Sequence, residues 1–476
     1  MLKPKFYFLL LLLLAIGKAG FSQDHGRGML FDDSTYELQP RKAQLTRSLL
    51  SALPSSVSLK MYTPYPKNQL QYSTCVAWAS AYCGRTMVDA IKNNWTDRDM
   101  ITKKAYSPAF LFRLIQPNAG CNNGTYIDQA FSAMKNIGSI PFTNLPDLCV
   151  PAVDPALKGR ASSSRLKDFA TLFDYRSSNN IKVQAVKKAL SEKKPVVIGM
   201  LTPPSFDGAF KCWQPKEQPS NAYGGHAMCV IGYDDSQYGG AFEVQNSWGD
   251  NWGNDGYMWI KYDDFARFVQ YGYEFVDVPR ARSTEPDLAG AIKLELASGE
   301  QMPVNLYVST RGLKVVSAQT TTVQPITIYK VSQAYTSGTN FRIYISNNQP
   351  AYVYAISSDL SNNVTKIFPY ADNISAALDY KKNDVALPDE DHYIQFDNQP
   401  GTDFLCVLYS KTELDINDLM SKASTGAGTF NERIYHALAD KIVDPKNINF
   451  SSDHIGFQGA SNDKDIVALM VELEHK

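Results

Sequence analysis

Between residues 70 and 193 the apolar positions recur at three- and four-residue intervals, the spacing of helices with one buried face. Val76, Ala79, Tyr82, Cys83, Val88 and Ile91 predict a helix that starts near Cys75, with Ser73 or Thr74 as its cap. Ser107-Pro108 opens a second helix in cap-then-proline order. Thr125 and Asp128 make a capping-box-like start for a third, which Gly138 ends. A fourth helix fits 183–193. From Pro195 the pattern changes to β-type runs at 196–200, 227–233, 241–244 and 256–262. Helices followed by strands read as an α+β class.

The second half is strand-rich. Short runs at 327–330, 341–345, 351–357 and 404–409 alternate with Ser, Asn, Gly and Pro turns, and helices are expected again near 417–422 and 431–442. The stretch 280–287, with its polar run 280–285 between Pro279 and Pro286, reads as a linker, so each half is expected to carry its own core. The chain then divides into a leader (1–22), a short arm or pro-segment (23–52), a first domain (53–279), the linker (280–287) and a β-rich, sandwich-like domain (288–476). No internal repeat is present.

The leader is read from its own pattern. Lys3 and Lys5 precede an apolar run from Phe6 to Ile16, and small residues follow up to Ser22. This is the n-region, h-region and cleavage zone of a signal peptide. The run falls short of the about 20 residues that span a bilayer, and no later segment is apolar enough for a span. The expected location is therefore secreted, periplasmic or cell-surface. Over the whole chain 47 Lys and Arg face 48 Asp and Glu, a net charge of -1, which gives no basic excess for binding nucleic acid. Hydrophobic residues make up 44%, which excludes a mostly disordered chain. His392, His436 and His454 lack metal-ligand spacing, and neither a metal nor a cofactor is expected.

The chemistry is concentrated at four positions. Cys75 lies where a helix should start, and a helix N-terminus favours the thiolate that attacks carbonyls. His226 is the only histidine between Cys75 and the linker, at a loop-to-strand junction. The side chain of Asn246 can accept the imidazole N–H and fix the tautomer, with Trp248 covering that bond from water. Gln69, six residues before Cys75, can join the Cys75 backbone N–H as a two-donor oxyanion hole.

These residues resemble the papain-like cysteine peptidases, and bacterial members most closely. Gln69-Leu-Gln-Tyr-Ser-Thr-Cys75 is similar to that family's Gln…Cys block, and Gly-His226-Ala to its histidine block. Asn246-Ser-Trp-Gly-Asp-Asn-Trp-Gly-Asn-Asp-Gly-Tyr is similar to the most specific block, and Cys121-Asn-Asn-Gly124 to the loop lining the substrate cleft. The order and the spacing, 151 residues from Cys75 to His226 and 20 more to Asn246, fit as well. The resemblance implies Cys75 as nucleophile, His226 as base then acid, Asn246 as its orienter and Gln69 as oxyanion donor. Gly124 is implied to bind substrate backbone, with Asn123 and Trp248 beside it. The implied fold has a helical and a barrel-like lobe, and the implied substrates are peptides or proteins. Val76 in place of the usual Trp, Leu70 after Gln69, Tyr72 in place of a Cys and Asn123 in place of a Gly bear on subsites and disulfides rather than on the chemistry. Of the seven cysteines, Cys121 and Cys149 are the expected disulfide, although sequence alone does not fix connectivity. Cys83, Cys229 and Cys406 are expected as buried thiols.

The stretch from Phe341 to Tyr409 weakly resembles a β-rich domain of unknown function found after bacterial catalytic domains, for which a protein or surface partner is the expectation. Two other classes compete with an active peptidase. A peptide-binding pseudoenzyme is opposed by the intact set Gln69, Cys75, His226 and Asn246. A transglutaminase-like acyltransferase would be expected to have Asp, not Asn246, as the orienter.

Overall fold

The computed structural model describes residues 25–118, 120–279, 281–309, 326–438, 440–462 and 464–476. The expected signal peptide lies outside the described residues. The central helix starts at Cys75, continues as a π-helical stretch from Trp78 to Arg85 and ends as an α-helix at Lys92. Every residue from Cys75 to Met87 is buried, so this helix lies inside the domain rather than on its surface. Gly84 is required there, because a Cβ would sit 2.8 Å from the Phe275 ring of the sheet below. Thr74 occupies the cap position, but its hydroxyl makes no cap hydrogen bond.

Two further helices buttress it. Pro108–Ile115 is capped by Ser107, whose Oγ accepts from the Phe110 N–H at 3.2 Å. Ile127–Asn136 begins without the capping box expected from Thr125 and Asp128; Tyr126 holds the cap position instead. The fourth helix, Asn179–Ser191, starts four residues earlier than the sequence suggested, under a Ser178 cap.

The sheet of the first domain orders its strands Asp168–Thr171, Val269–Val276, Val196–Thr202, Gly224–Asp234, Ala241–Gln245, Tyr257–Lys261 and Cys212–Trp213. Ser56–Ser58 pairs onto the far end of Gly224–Asp234. The two outermost strands do not meet, so the barrel-like lobe expected from the resemblance is an open sheet. The central helix lies against this sheet, which places the start of the helix beside the start of the strand Gly224–Asp234.

The C-terminal half is a sandwich. One sheet runs Val304–Ser309, Ile326–Val331, Ile466–His475, Gly401–Ser410, Ala351–Ser358, Val364–Phe368; the other runs Asn383–Leu387, Asn340–Asn347, Leu288–Leu296, Ile455–Gly459, Ile448–Phe450. Leu288, Ile343, Val353, Leu405 and Leu469 belong to the core between them. The other face of the first sheet packs on the helices Ile416–Thr425 and Phe430–Ala437, and also on Ala170, Val276 and Val278 of the first domain. Each half has core clusters of its own, and the two also share this apolar cluster. The described part of the linker is itself held, with the Ser283 N–H donating to Ser461 Oγ at 3.1 Å.

Residues 25–52 are not a loose arm. Asp32 caps a short helix, Asp33–Leu38, and Tyr36 stacks on Tyr271 with centroids 4.1 Å apart. Upstream of that helix the chain runs along the start of the central helix, and downstream it reaches the sandwich.

Candidate active site

The four predicted residues meet where helix and sheet touch. Cys75 is the first residue of the central helix and is wholly buried. The backbone of Ala227, the residue after His226, lies beside its thiol and favours the thiolate. His226 Nε2 lies 2.7 Å from Asn246 Oδ1. The amide oxygen only accepts, so the ring carries its proton on Nε2. That leaves Nδ1 as a bare acceptor, and it has no hydrogen-bond partner. The Trp248 ring lies 4.6 Å from the His226 ring, centroid to centroid, and shields the bond to Asn246.

Gln69 is fully buried and stands at the same place. Its Oε1 accepts from Ser247 Oγ at 2.5 Å, which fixes the direction of the amide. Its Nε2 donates to Tyr72 O at 2.7 Å and to Gly26 O at 3.0 Å. Sequence reasoning passed over Ser247 as an orienter of Gln69; its only signal was its place inside the Asn-Ser-Trp-Gly block.

The arm occupies the cleft. His25 stacks on the outer face of Trp248 with centroids 4.4 Å apart. Trp248 Nε1 also donates to Gly26 O, at 3.3 Å. The backbone of Gly28 also lies beside the Cys75 thiol. The Met29 N–H donates to Gly225 O at 3.1 Å and the Leu30 N–H to Thr125 O at 2.9 Å, while the Thr125 N–H donates back to Gly28 O at 2.8 Å. Met29 lies over Gly199, where a Cβ would be 2.5 Å from Met29 Cε. Arg27 bonds Thr202 Oγ1 at 2.9 Å and pairs with Asp207 at 2.5 Å.

Of the expected binding residues, Trp248 touches the arm directly. Gly124 lies beneath Leu30, where a Cβ would be 2.7 Å from Leu30 Cγ, but the main-chain bonds go to its neighbour Thr125. Asn123 is exposed. Cys121 and Cys149 are joined by a disulfide, and Cys83, Cys229 and Cys406 are buried thiols. Among the described residues no cluster of three metal-ligating side chains occurs.

Burial under the arm sets the electrostatics. Loss of water drives the His226 imidazole down to about 3; the bond to Asn246 opposes this, and the charges of Arg27 and His25 add to it. Burial likewise pushes the Cys75 thiol up, against the backbone bonds from Ala227 and Gly28. The covered pair is therefore a neutral thiol beside a neutral imidazole.

Comparison with known proteins places this arrangement. Residues 67–270 match the family model described as papain family cysteine protease, and residues 334–413 match a domain of unknown function (DUF4384). The chain is 27% identical to Cathepsin B-like CP2 of Giardia intestinalis over 167 residues, 32% of this chain and 51% of that protein. It is 26% identical to Cathepsin K of Mus musculus over 208 residues, 42% of this chain and 56% of that one. It thus spans about half the length of these curated relatives. Xylellain, a cysteine protease from Xylella fastidiosa, superposes with a TM-score of 0.41 at 20% identity, over 53% of this chain and 96% of that one. Among the described residues no helix is long and apolar enough to cross a membrane. Residues 67–270 are thus similar to the papain family of cysteine proteases, and a stretch similar to a domain of unknown function follows them.

Proposed function

We propose that the first domain is an exported cysteine endopeptidase, held latent by residues 25–31. The observation that carries the chemistry is the His226 ring. Asn246 Oδ1 accepts a hydrogen bond from Nε2–H, and the buried Nδ1 lone pair has no partner, on the strand whose next residue lies beside the Cys75 thiol. In the uncovered site Cys75 passes its proton to His226 Nδ1, and the thiolate attacks a peptide carbonyl carbon. The oxyanion is met by Gln69 Nε2 and the Cys75 N–H. The imidazolium then protonates the leaving amine, and a water deprotonated by His226 hydrolyses the thioester. Asn246 keeps the ring in one tautomer throughout.

The arm supports the choice of endopeptidase. It crosses the cleft on both sides of Cys75, from His25 on Trp248 to Leu30 over Gly124, so the cleft admits chain in both directions. The arm is not itself set for cleavage. Gly28 lies beside the thiol, while a different peptide unit, Gly26 C=O, takes the Gln69 donor. No single carbonyl is presented to both. The apparent leader and the Cys121–Cys149 disulfide support export to an oxidising compartment. A peptide-binding module without turnover would fit the burial of Cys75 and His226, and the cover of the arm accounts for that burial.

The test uses protein lacking residues 1–31. It should cleave peptides internally, and Cys75→Ala should lower the rate by several orders of magnitude without changing the melting temperature. Retention of more than a few per cent of activity in Cys75→Ala would refute the assignment. Removal of single terminal residues only would refute the endopeptidase reading.

A further inference from the structure

We infer that the C-terminal domain is the second anchor of the inhibitory arm: it clasps residues 40–47 and so keeps residues 25–31 in the cleft. The inference rests on the reading of 25–31 as a plug, and it gives the sandwich a role in latency.

The arm is wedged between the two domains at Arg41. On one side the Thr171 N–H donates to Pro40 O at 2.8 Å and the Lys42 N–H to Thr171 O at 2.9 Å, which extends the outermost strand of the peptidase sheet. On the other side the Arg41 N–H donates to Asn373 O at 2.7 Å and the Ser375 N–H to Arg41 O at 2.8 Å, both in the sandwich domain. Two main-chain bonds on each side make this segment an added strand shared by both domains.

Lys42 then enters a buried ionic cluster drawn from four stretches of chain. Its ammonium lies 3.1 Å from Glu274 of the peptidase and pairs with Asp379 of the sandwich, which also pairs with Lys194 of the peptidase. Burial alone would raise the Asp379 carboxyl, but Lys194 and Lys42 overcome it and hold it at about 2. Tyr380 closes the cluster by donating to Glu274 at 2.5 Å. Past Lys42, Ala43 and Leu45 are buried in the sandwich core. The Thr46 N–H donates to Asp384 O at 2.9 Å and the Arg47 N–H to Glu390 at 2.8 Å.

Tether length converts this clasp into latency. Between Phe31, at the end of the plug, and Pro40 lie eight residues, six of them the helix Asp33–Leu38, in which Tyr36 alone is buried. The two main-chain bonds to Thr171 alone do not hold the segment once the sandwich lets go; the next paired strand downstream is then Ser56–Ser58, and the tether becomes twenty-four residues. Effective concentration falls roughly as the −3/2 power of tether length, so tripling the length lowers it about fivefold. Losing the clasp should therefore raise the uncovered fraction about fivefold.

The experiment compares three proteins that run from residue 23 to 476, the natural chain, Lys42→Met and Leu45→Asp, with a control that starts at residue 32. Leu45→Asp alters only the arm, so it remains informative if Lys42→Met destabilises the ionic cluster. The readouts are iodoacetamide alkylation of Cys75 at neutral pH and amide exchange at Met29 and Leu30, with a melting curve to confirm folding. Alkylation and exchange about fivefold faster in the folded arm variants, and fastest alkylation in the control, is the result expected. If the control reacts fast and the folded arm variants match the natural chain within twofold, the anchor role is overturned and the plug stands. If the control is as slow as the natural chain, the plug reading itself falls.

Discussion

At His226 two effects oppose one another, and burial wins. The Asn246 bond favours the imidazolium, yet removing the ring from water beneath Trp248 and the arm takes its pKa from an ordinary 6.5 to about 3. A group whose pKa is lowered on covering adds stability to the covered state above its free pKa, and this is lost as pH falls toward the covered value. Cys75 complicates the natural enzyme, because an uncovered thiolate–imidazolium pair holds the same single proton as the covered neutral pair. Cys75→Ala isolates the histidine. A synthetic peptide of residues 25–38 should then bind an arm-less Cys75→Ala protein with constant affinity above about pH 6.5. Below that its dissociation constant should rise by up to about tenfold per unit toward pH 3. A flat profile from pH 7.5 to 4.5, measured by titration calorimetry, would show that His226 is not desolvated by the arm. Gln69 gives a second residue-level prediction. Its Nε2 is the side-chain donor at the hole, held in direction by Ser247, so Gln69→Ala should cost roughly 10²–10³ in kcat of the arm-less enzyme. Ser247→Ala should cost less, since Gln69 keeps its place but loses its orienting bond.

At the scale of elements, the sequence was readable wherever one face or one cap decided the conformation. The helix at Cys75, the Ser107-Pro108 start and the strand ahead of Asn246 follow from local pattern, and the first and last of these position Cys75 and Asn246. The strand Ile466–His475 was missed because it is buried on both faces, so it shows no alternation and its apolar run does not distinguish strand from helix. The capping box at Thr125 failed for a tertiary reason: the backbone of Thr125 is taken up by Gly28 and Leu30 of the arm. The arm itself is polar and short, and its order comes from partners distant in sequence. One signal was present: Gly26 and Gly28 allow a backbone approach that no other residue permits. A Cβ at Gly26 would lie 2.1 Å from Tyr72 O, and one at Gly28 2.2 Å from Ser73 O. Neither obstacle is a side chain that could swing aside. Gly28→Ala should therefore unseat the plug, and the uncut variant should show peptidase activity well above the natural uncut chain, with an unchanged melting temperature. Equal latency in the two proteins would mean that the arm does not seat as tightly as drawn.

For the whole molecule the question is whether the peptidase can stand alone. The polar linker argues for independence, and all four residues of the site precede it. The packing argues the other way, and it involves more surface. Ala170, Val276 and Val278 share an apolar cluster with Tyr354, Ile356 and Leu408 of the sandwich, so cutting the chain after residue 279 exposes that face to water. The same cut removes Asp379 and leaves Lys42 and Lys194 with Glu274 as their one remaining acidic partner in the cluster. Breaking a buried ionic group by removing one member costs about 3–5 kcal/mol, a large share of the 5–15 kcal/mol that stabilises a typical domain. Residues 23–279 expressed alone should therefore be mostly insoluble, or melt well below the full chain. Replacing Val276 and Val278 by Ser and Lys42 by Met in that fragment should recover soluble protein, because both defects are then relieved. The recovered fragment should cleave small peptides more readily than the uncut full chain, because its arm has lost the clasp. Soluble yield, size-exclusion profile and melting temperature decide between the two arguments. A monodisperse natural-sequence fragment that melts with the full chain would show that the linker, and not the shared core, describes how the two halves are joined.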